Sequence, residues 1–477
     1  MSAAANARWI ALTQLVKIGS QLVNMFVLTK LIAPLDYGLM AMAGVATNLA
    51  FILRDLGTAA AIIQKADLSE ADTSSVFWLN MAGGALLMLA LWIVAPLMSS
   101  MFEEPRLTNV LWVLALTFPL AASSTVHQAL LERVSQFRLI AGIESASSLL
   151  SLLIALALAF HGAGVWGLVA QALMMTSITT LLLWWYSSWR PSFVFDRASL
   201  RSVFSFSGSM AGHQMASYLF RNADSFVVGR LLGATVLGNY SLAYKLMLFP
   251  VQNISWVAVR SLFPVMSRRQ DDKEYLADLT LRSIKLVSFI SAPMMFGVAG
   301  VSDLFVHLFL GSQWYLVGQI LALLSFVGYV QVITSIASPV FMSLGKTSWM
   351  LRISLVGTPL HILAFVTGAL LDGVRGLAIG YLIASLLMAL PVFYFCCQTL
   401  SIPLHKLAWA LLPSVLSSAA MVLCITMCRD SMHVSGYLLF FSLTALGVVS
   451  WLAMVALFQR SEARDFMNLA FRRIKKS

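Results

Sequence analysis

Gln14, Lys17, Gln21 and Asn24 recur at steps of three and four residues in an otherwise apolar segment. Gln214, Ser217, Arg221 and Asp224 repeat that spacing further along the chain. Such steps place each quartet on one face of an α-helix. Polar groups in lipid are tolerated where they face protein or water, so both stripes point towards a shared hydrated cavity. Their chemistry is recognition of an anion by ammonium, guanidinium and amide donors. Guanidinium forks suit phosphate oxygens best, and a pyrophosphate-bearing substrate matches them.

The elements that carry these residues follow from composition. The 477 residues are 60% hydrophobic and 11% charged, with a mean hydropathy of +0.85, far from the soluble average. A membrane helix needs about 20 apolar residues. Fourteen such runs are legible, at approximately 8–32, 36–62, 73–97, 107–130, 142–160 and 164–186, then 203–229, 237–264, 283–309, 316–344, 350–371, 376–398, 406–428 and 435–458. Barrel strands would alternate over about ten residues, and runs such as Leu149 to Phe160 do not.

The positive-inside rule then orients the chain. Of 31 Lys and Arg, 21 fall on loops and tails of the face that holds the N-terminus. Five lie on the opposite loops (Lys30, Arg106, Arg230, Arg375, Arg429) and five within spans (Lys17, Arg54, Arg221, Lys245, Arg260). Both termini are therefore expected in the cytoplasm. The formal net charge of +11 reflects anchoring to anionic headgroups, above all by Arg472, Arg473, Lys475 and Lys476, with no nucleic-acid partner. Met1 to Ala7 lacks the apolar core of a cleavable signal, so the first span is expected to serve for insertion.

Residues 28–45 align without a gap to 228–245, with Lys30 on Arg230, Leu31 on Leu231 and Gly38 on Gly238. Six spans separate the copies, an even number, which makes them parallel repeats about an axis along the membrane normal. The expected fold is an all-α polytopic membrane protein of about 14 spans, with two parallel six-helix lobes around a central cavity. The N-terminal lobe covers 1–200 and the C-terminal lobe 201–400. Residues 401–477 add an accessory helix pair and the basic tail. Residues 187–202 form the linker, and 265–282 read as an interfacial amphipathic helix. No outer loop is long enough for a catalytic domain.

A buried ionisable group costs about 2.5–3.5 kcal/mol at a helix centre, so each charge within a span needs a reason. All five cations fall in the first two spans of each repeat, and a positive, low-dielectric vestibule concentrates an anion. The substrate-binding candidates are Lys17, Arg54, Arg221, Gln14, Gln21, Asn24, Gln214, Lys245 and Arg260. Other readings stand beside this one. Arg54 adjoins Asp55 and Arg221 precedes Asp224 by three residues, the spacing of structural pairs, while Lys245 and Arg260 lie near helix ends and can snorkel. Lys17 has no acid at helical spacing. Asp224 and Asp55, read as the two acids of the spans, are candidates for coupling to a proton or cation. Pro250 and Pro293 are expected to bend their helices. Cys396, Cys397, Cys424 and Cys428 lack companions at ligand spacing, so neither a metal site nor a cofactor is expected.

Asp224 to Asp272, containing Gly-Arg-Leu-Leu-Gly and Leu-Gly-Asn-Tyr at 229–240, then Leu262-Phe263-Pro264 and Gln270-Asp271-Asp272, resembles the Wzx-type polysaccharide flippases. Asp55 to Asn80 is similar to them as well, most closely to exporters of colanic-acid-type exopolysaccharides. That superfamily also contains the MATE antiporters and lipid II flippases. The resemblance implies a transporter, not an enzyme, that flips undecaprenyl-diphosphate-linked oligosaccharide repeat units across the bacterial inner membrane by alternating access. It also implies a polymerase and export proteins of the same pathway as partners, beside membrane lipids. Two alternatives remain at this point: a MATE-like antiporter of small amphiphiles, disfavoured by the cationic spans, and a polyprenyl-dependent glycosyltransferase or polymerase. For the latter Asp36 is the one obvious acid/base group, and it also suits a helix cap.

Overall fold

A computed structural model describes residues 3–54, 58–64, 67–194, 222–429, 431–432, 435–460, 462 and 464. Every regular element among them is helical, as hydrocarbon demands, because a helix satisfies its own backbone groups. Ten of these helices are long and apolar enough to cross a membrane. The chain is a multi-pass membrane protein, and by contact it divides into Met1–Asn239 and Tyr240–Ser477.

The first unit contains α1 (Ala3–Val23), α2 (Pro34–Arg54), α3 (Glu70–Phe102), α4 (Thr117–Arg133), α5 (Phe137–Phe160) and α6 (Val165–Tyr186). α1 passes into a π-turn over Asn24–Leu28, which rotates the face presented after the polar stripe. Pro34 opens α2, a position where a missing N–H costs nothing. α3 opens on a capping box in which Asp72 N donates to Ser69 Oγ at 3.1 Å and Ser69 N donates to Asp72 Oδ2 at 3.0 Å, satisfying two otherwise orphaned donors. Leu28 and Ile32 pack on Leu152, Ala155, Ala159 and Leu168 in a buried cluster that ties the end of α1 to α5 and α6.

α7 (Ala223–Ser267) breaks at Gly233, where φ is 82°, a conformation glycine adopts without a Cβ clash. The segment after this break crosses the start of α2 very closely. A Cβ at Gly38 would overlap the Ala234 carbonyl oxygen, and one at Gly238 would overlap that of Pro34. Positions 34 and 38 thus meet 234 and 238 reciprocally, so the aligned repeat segments cross about a local pseudo-twofold. Phe102 stacks edge-on with Phe226 at 5.4 Å, and Arg230 pairs with Glu103 at 2.5 Å.

The second unit continues with α8 (Lys273–Phe305), α9 (Tyr315–Ser335), α10 (Thr347–Leu400), α11 (Leu404–Arg429) and α12 (Gly436–Phe458). The backbone of α10 leaves helical geometry at Asp372 and Gly373, between two of the expected spans. Around this break the two halves return against each other, since a Cβ at Gly380 would meet the Ala364 backbone and one at Gly376 that of Gly368, the small-residue contact membrane helices favour. α8 packs along α9 and α11. Buried Gln459 then holds α12 to α11, donating to Pro413 O at 2.6 Å and Ser417 Oγ at 2.7 Å.

One expectation fails. Residues 265–282 do not form a separate amphipathic helix: α7 runs to Ser267, a turn follows, and Asp272 Oδ1 accepts from Tyr275 N at 2.9 Å to cap the long helix α8. Asp272 is a strong N-cap, and charge pattern alone concealed that stop and start. Pro250 and Pro293 lie inside helices assigned without interruption there.

Candidate functional site

In the first unit the α1 stripe is accessible along its length. Gln14 and Gln21 are exposed and Lys17 and Asn24 half-buried, whereas Thr13 and Ser20 turn inward. The inward residues explain the orientation: Thr13 bonds its hydroxyl to Trp9 O at 3.0 Å, and Ser20 accepts from Ser148 Oγ of α5 at 3.1 Å. Asn24 ends the stripe at the π-turn, with its side-chain oxygen buried and without a hydrogen-bond partner.

Lys17 corrects the sequence reading. Its Nζ donates to Glu144 Oε2 of α5 at 2.8 Å, with 36% and 30% of the two side chains accessible. The partner comes from another helix, so no spacing rule within α1 could find it. Glu144 lies in the expected span 142–160 and is thus an acid of the spans besides Asp55 and Asp224. Asp303 is also within a membrane helix, and Arg429 approaches it at 4.0 Å. The spans are less one-sidedly cationic than expected. The Lys17 pair is half open, and its Coulomb energy is correspondingly screened relative to a buried pair. The contact holds the Lys17 ammonium in place beside the polar stripe.

In the second unit, α7 beyond Tyr240 presents a second accessible face. Lys245, Phe249, Gln252, Asn253, Trp256 and Arg260 are exposed at steps of three and four residues, hence on one side of the helix. The Arg260 guanidinium lies 4.3 Å above the Trp256 ring, a cation–π contact that orients it. Lys245 and Arg260 therefore belong to one continuous polar and aromatic stripe, as α1 has in the first unit. Asp224 is buried, and its Oδ1 accepts from Ser225 N at 2.6 Å, as a helix-start residue does.

Arg54 ends α2. Asp55, Gln214, Ser217 and Arg221 lie outside the described residues. Asp36, the acid weighed for an enzyme, stands in the first turn of α2 and faces Arg106 at 3.9 Å. Among the described residues no cluster of His, Cys, Asp or Glu has the arrangement to hold a metal ion.

Helical spans gathered in two units, with accessible cationic stripes, define a polytopic membrane protein. Its fold is that of the lipid II flippase MurJ in an inward closed conformation, with a TM-score of 0.73 at 16% identity over 94% of this chain and 99% of that one. An inward-facing multidrug-resistance MATE transporter aligns with a TM-score of 0.59 at 16% identity, over 81% of this chain and 98% of that one. Residues 27–319 match the family model described as polysaccharide biosynthesis protein. The chain belongs to that family.

Named relatives agree. The teichuronic acid biosynthesis protein TuaB of Bacillus subtilis is 29% identical over 63% of this chain and 62% of its own length. The lipopolysaccharide biosynthesis protein WzxC of Escherichia coli is 28% identical over 80% of this chain and 78% of its own. The succinoglycan biosynthesis transport protein ExoT of Rhizobium meliloti is 28% identical over 67% and 65% respectively.

Proposed function

We propose that this protein is a flippase that carries undecaprenyl-diphosphate-linked oligosaccharide repeat units across the bacterial inner membrane for polysaccharide assembly. The observation that carries the reading is the half-open Lys17–Glu144 pair on a polar membrane-helix stripe, in a chain of the polysaccharide biosynthesis family. A travelling diphosphate needs cations that are positioned but not consumed by buried partners, and Lys17 is one. Lys245 and Arg260 serve it on the second unit, with Gln14, Gln21, Asn24, Gln214, Arg54 and Arg221 as further contacts. Asp224 and Asp55 remain the candidates for ion coupling.

The chain acts as a transporter, not as an enzyme. Both termini lie in the cytoplasm on this reading, residues 1–200 and 201–400 act as the two moving lobes, and a polymerase consumes the delivered unit. The test is depletion of the protein in a polymer-producing cell. Lipid-linked repeat units should accumulate where periplasmic enzymes and impermeant reagents cannot reach them. Repeat units accessible from the periplasm at wild-type levels would refute flipping. Arg221→Ala should abolish polymer export at unchanged protein abundance in the membrane.

A further inference from the structure

Three loops meet at one end of the first unit and border an open cavity of ≈ 890 Å³, within the usual range for small-ligand sites. Asp67 and Ser69 come from the approach to α3, Arg133 and Gln136 from the α4–α5 turn, and Tyr186 to Trp189 from the exit of α6. Behind it the chain runs on as a strap clamped to α3. Ser192 Oγ and Ser74 Oγ are 2.8 Å apart, Trp78 Nε1 donates to Ser192 O at 3.0 Å, and Phe193 stacks on Trp78 at 4.8 Å. Trp189 in turn lies 5.9 Å from Phe77 and 5.2 Å from His127. The wall is therefore packed in place.

The lining selects among ligands. An anion would meet one guanidinium, Arg133, which already donates to Ile62 O at 2.7 Å, and the Asp67 carboxylate would repel it. An apolar ligand would strip water from Asp67, Gln136 and Ser188 without replacing its hydrogen bonds, which costs free energy for each group. A neutral polyhydroxyl ring fits both sides: its C–H faces cover aromatic carbon, and its hydroxyls find the carboxylate, amide and serine groups. Tyr186 is 54% accessible and presents an aromatic face to such a ring.

We propose that this cavity is a subsite for neutral sugar residues, which it takes from the headgroup of the lipid-linked substrate on the cytoplasmic face before translocation. The proposal rests on the flippase reading for the identity of its ligand, and the cavity lies at the end that the Lys and Arg distribution assigns to the cytoplasm. Selection for sugar is thereby separate from the cationic stripes, which hold the diphosphate whatever it carries.

The test uses the full-length protein in lipid nanodiscs with three probes: undecaprenyl diphosphate bearing the repeat unit, bare undecaprenyl diphosphate, and the free oligosaccharide released by mild acid. Wild-type protein should prefer the sugar-bearing lipid over the bare one by about tenfold, the scale of one net hydrogen bond. Asp67→Ala combined with Gln136→Ala should bring that ratio close to one, and Tyr186→Ala, at an exposed ring, should lower it independently. Saturation-transfer NMR should show the free oligosaccharide binding wild-type protein and not the double variant. That last result upholds the subsite even if bare lipid fails to bind, an outcome that would sink the diphosphate reading instead. Equal affinity of wild-type protein for the two lipids, or a preference that survives in all the variants, overturns the proposal.

Discussion

At the scale of residues, the informative contact is the Lys17–Glu144 pair. Under the proposed function, the Glu144 carboxylate occupies the ammonium that a substrate phosphate would need, and so competes with it. Replacing Glu144 by Gln keeps the shape and a hydrogen bond but removes the competing charge. Glu144→Gln should therefore bind undecaprenyl diphosphate several-fold more tightly in nanodiscs while exporting polymer more slowly, since release becomes limiting. Lys17→Ala should lose binding instead, by about tenfold or more if the diphosphate contact is worth the ~1.5–3 kcal/mol of a hydrogen bond to a charged group. Lipid-binding titrations on the two variants decide this, because a purely structural pair would weaken both in the same direction. Of this site, Lys17 was legible from the helical spacing of polar residues, and Glu144 was not, because no local periodicity joins a residue of α1 to one of α5.

Among elements, the crossing of α2 with α7 depends on two glycines that carry nothing else. A Cβ at Gly38 or Gly238 would overlap a backbone carbonyl rather than a flexible side chain, so no rotamer change relieves it. Gly38→Ala and Gly238→Ala should each lower thermal stability by an amount in the range of overpacking, about 1–3 kcal/mol, read as melting of the detergent-solubilised protein. Gly19→Ala, in a helix interior where a Cβ meets nothing within 4 Å, is the control and should melt no lower than wild type does. The strap after α6 makes a second prediction. Trp78 provides its hydrogen bond to Ser192 O and its stack on Phe193, so Trp78→Ala should release it and speed chymotryptic cleavage after Phe193, measured as the half-life of the intact chain. The repeat aligned Gly38 with Gly238, but an alignment does not say that the two segments touch. The strap had no such signal, since residues 187–194 read only as a polar linker.

On the scale of the whole molecule, the charge asymmetry makes the strongest claim. With 21 of 31 cations expected on the face that holds the N-terminus, a C-terminal alkaline phosphatase fusion should be inactive and a C-terminal green fluorescent protein fusion bright. The reverse pattern would invert the topology and move the three-loop cavity to the other side of the membrane. The contact boundary at Asn239 and Tyr240 falls within α7, just after the glycine crossing. Close backbone contact explains it, because the segment around Ala234 and Gly238 packs on α2.

Sequence by itself determined that the chain spans a membrane many times, that it contains a parallel repeat, and that one face of α1 is polar. Each of these is a property of hydropathy or of a period, both of which are local along the chain. Only the tertiary structure decided that Lys17 is held by Glu144, that aligned glycines meet each other's backbone, that α11 packs along α8, and that three separate loops border one cavity. These depend on which helix lies beside which, and in lipid that choice is made by packing and by the few polar groups that must find partners, not by periodicity.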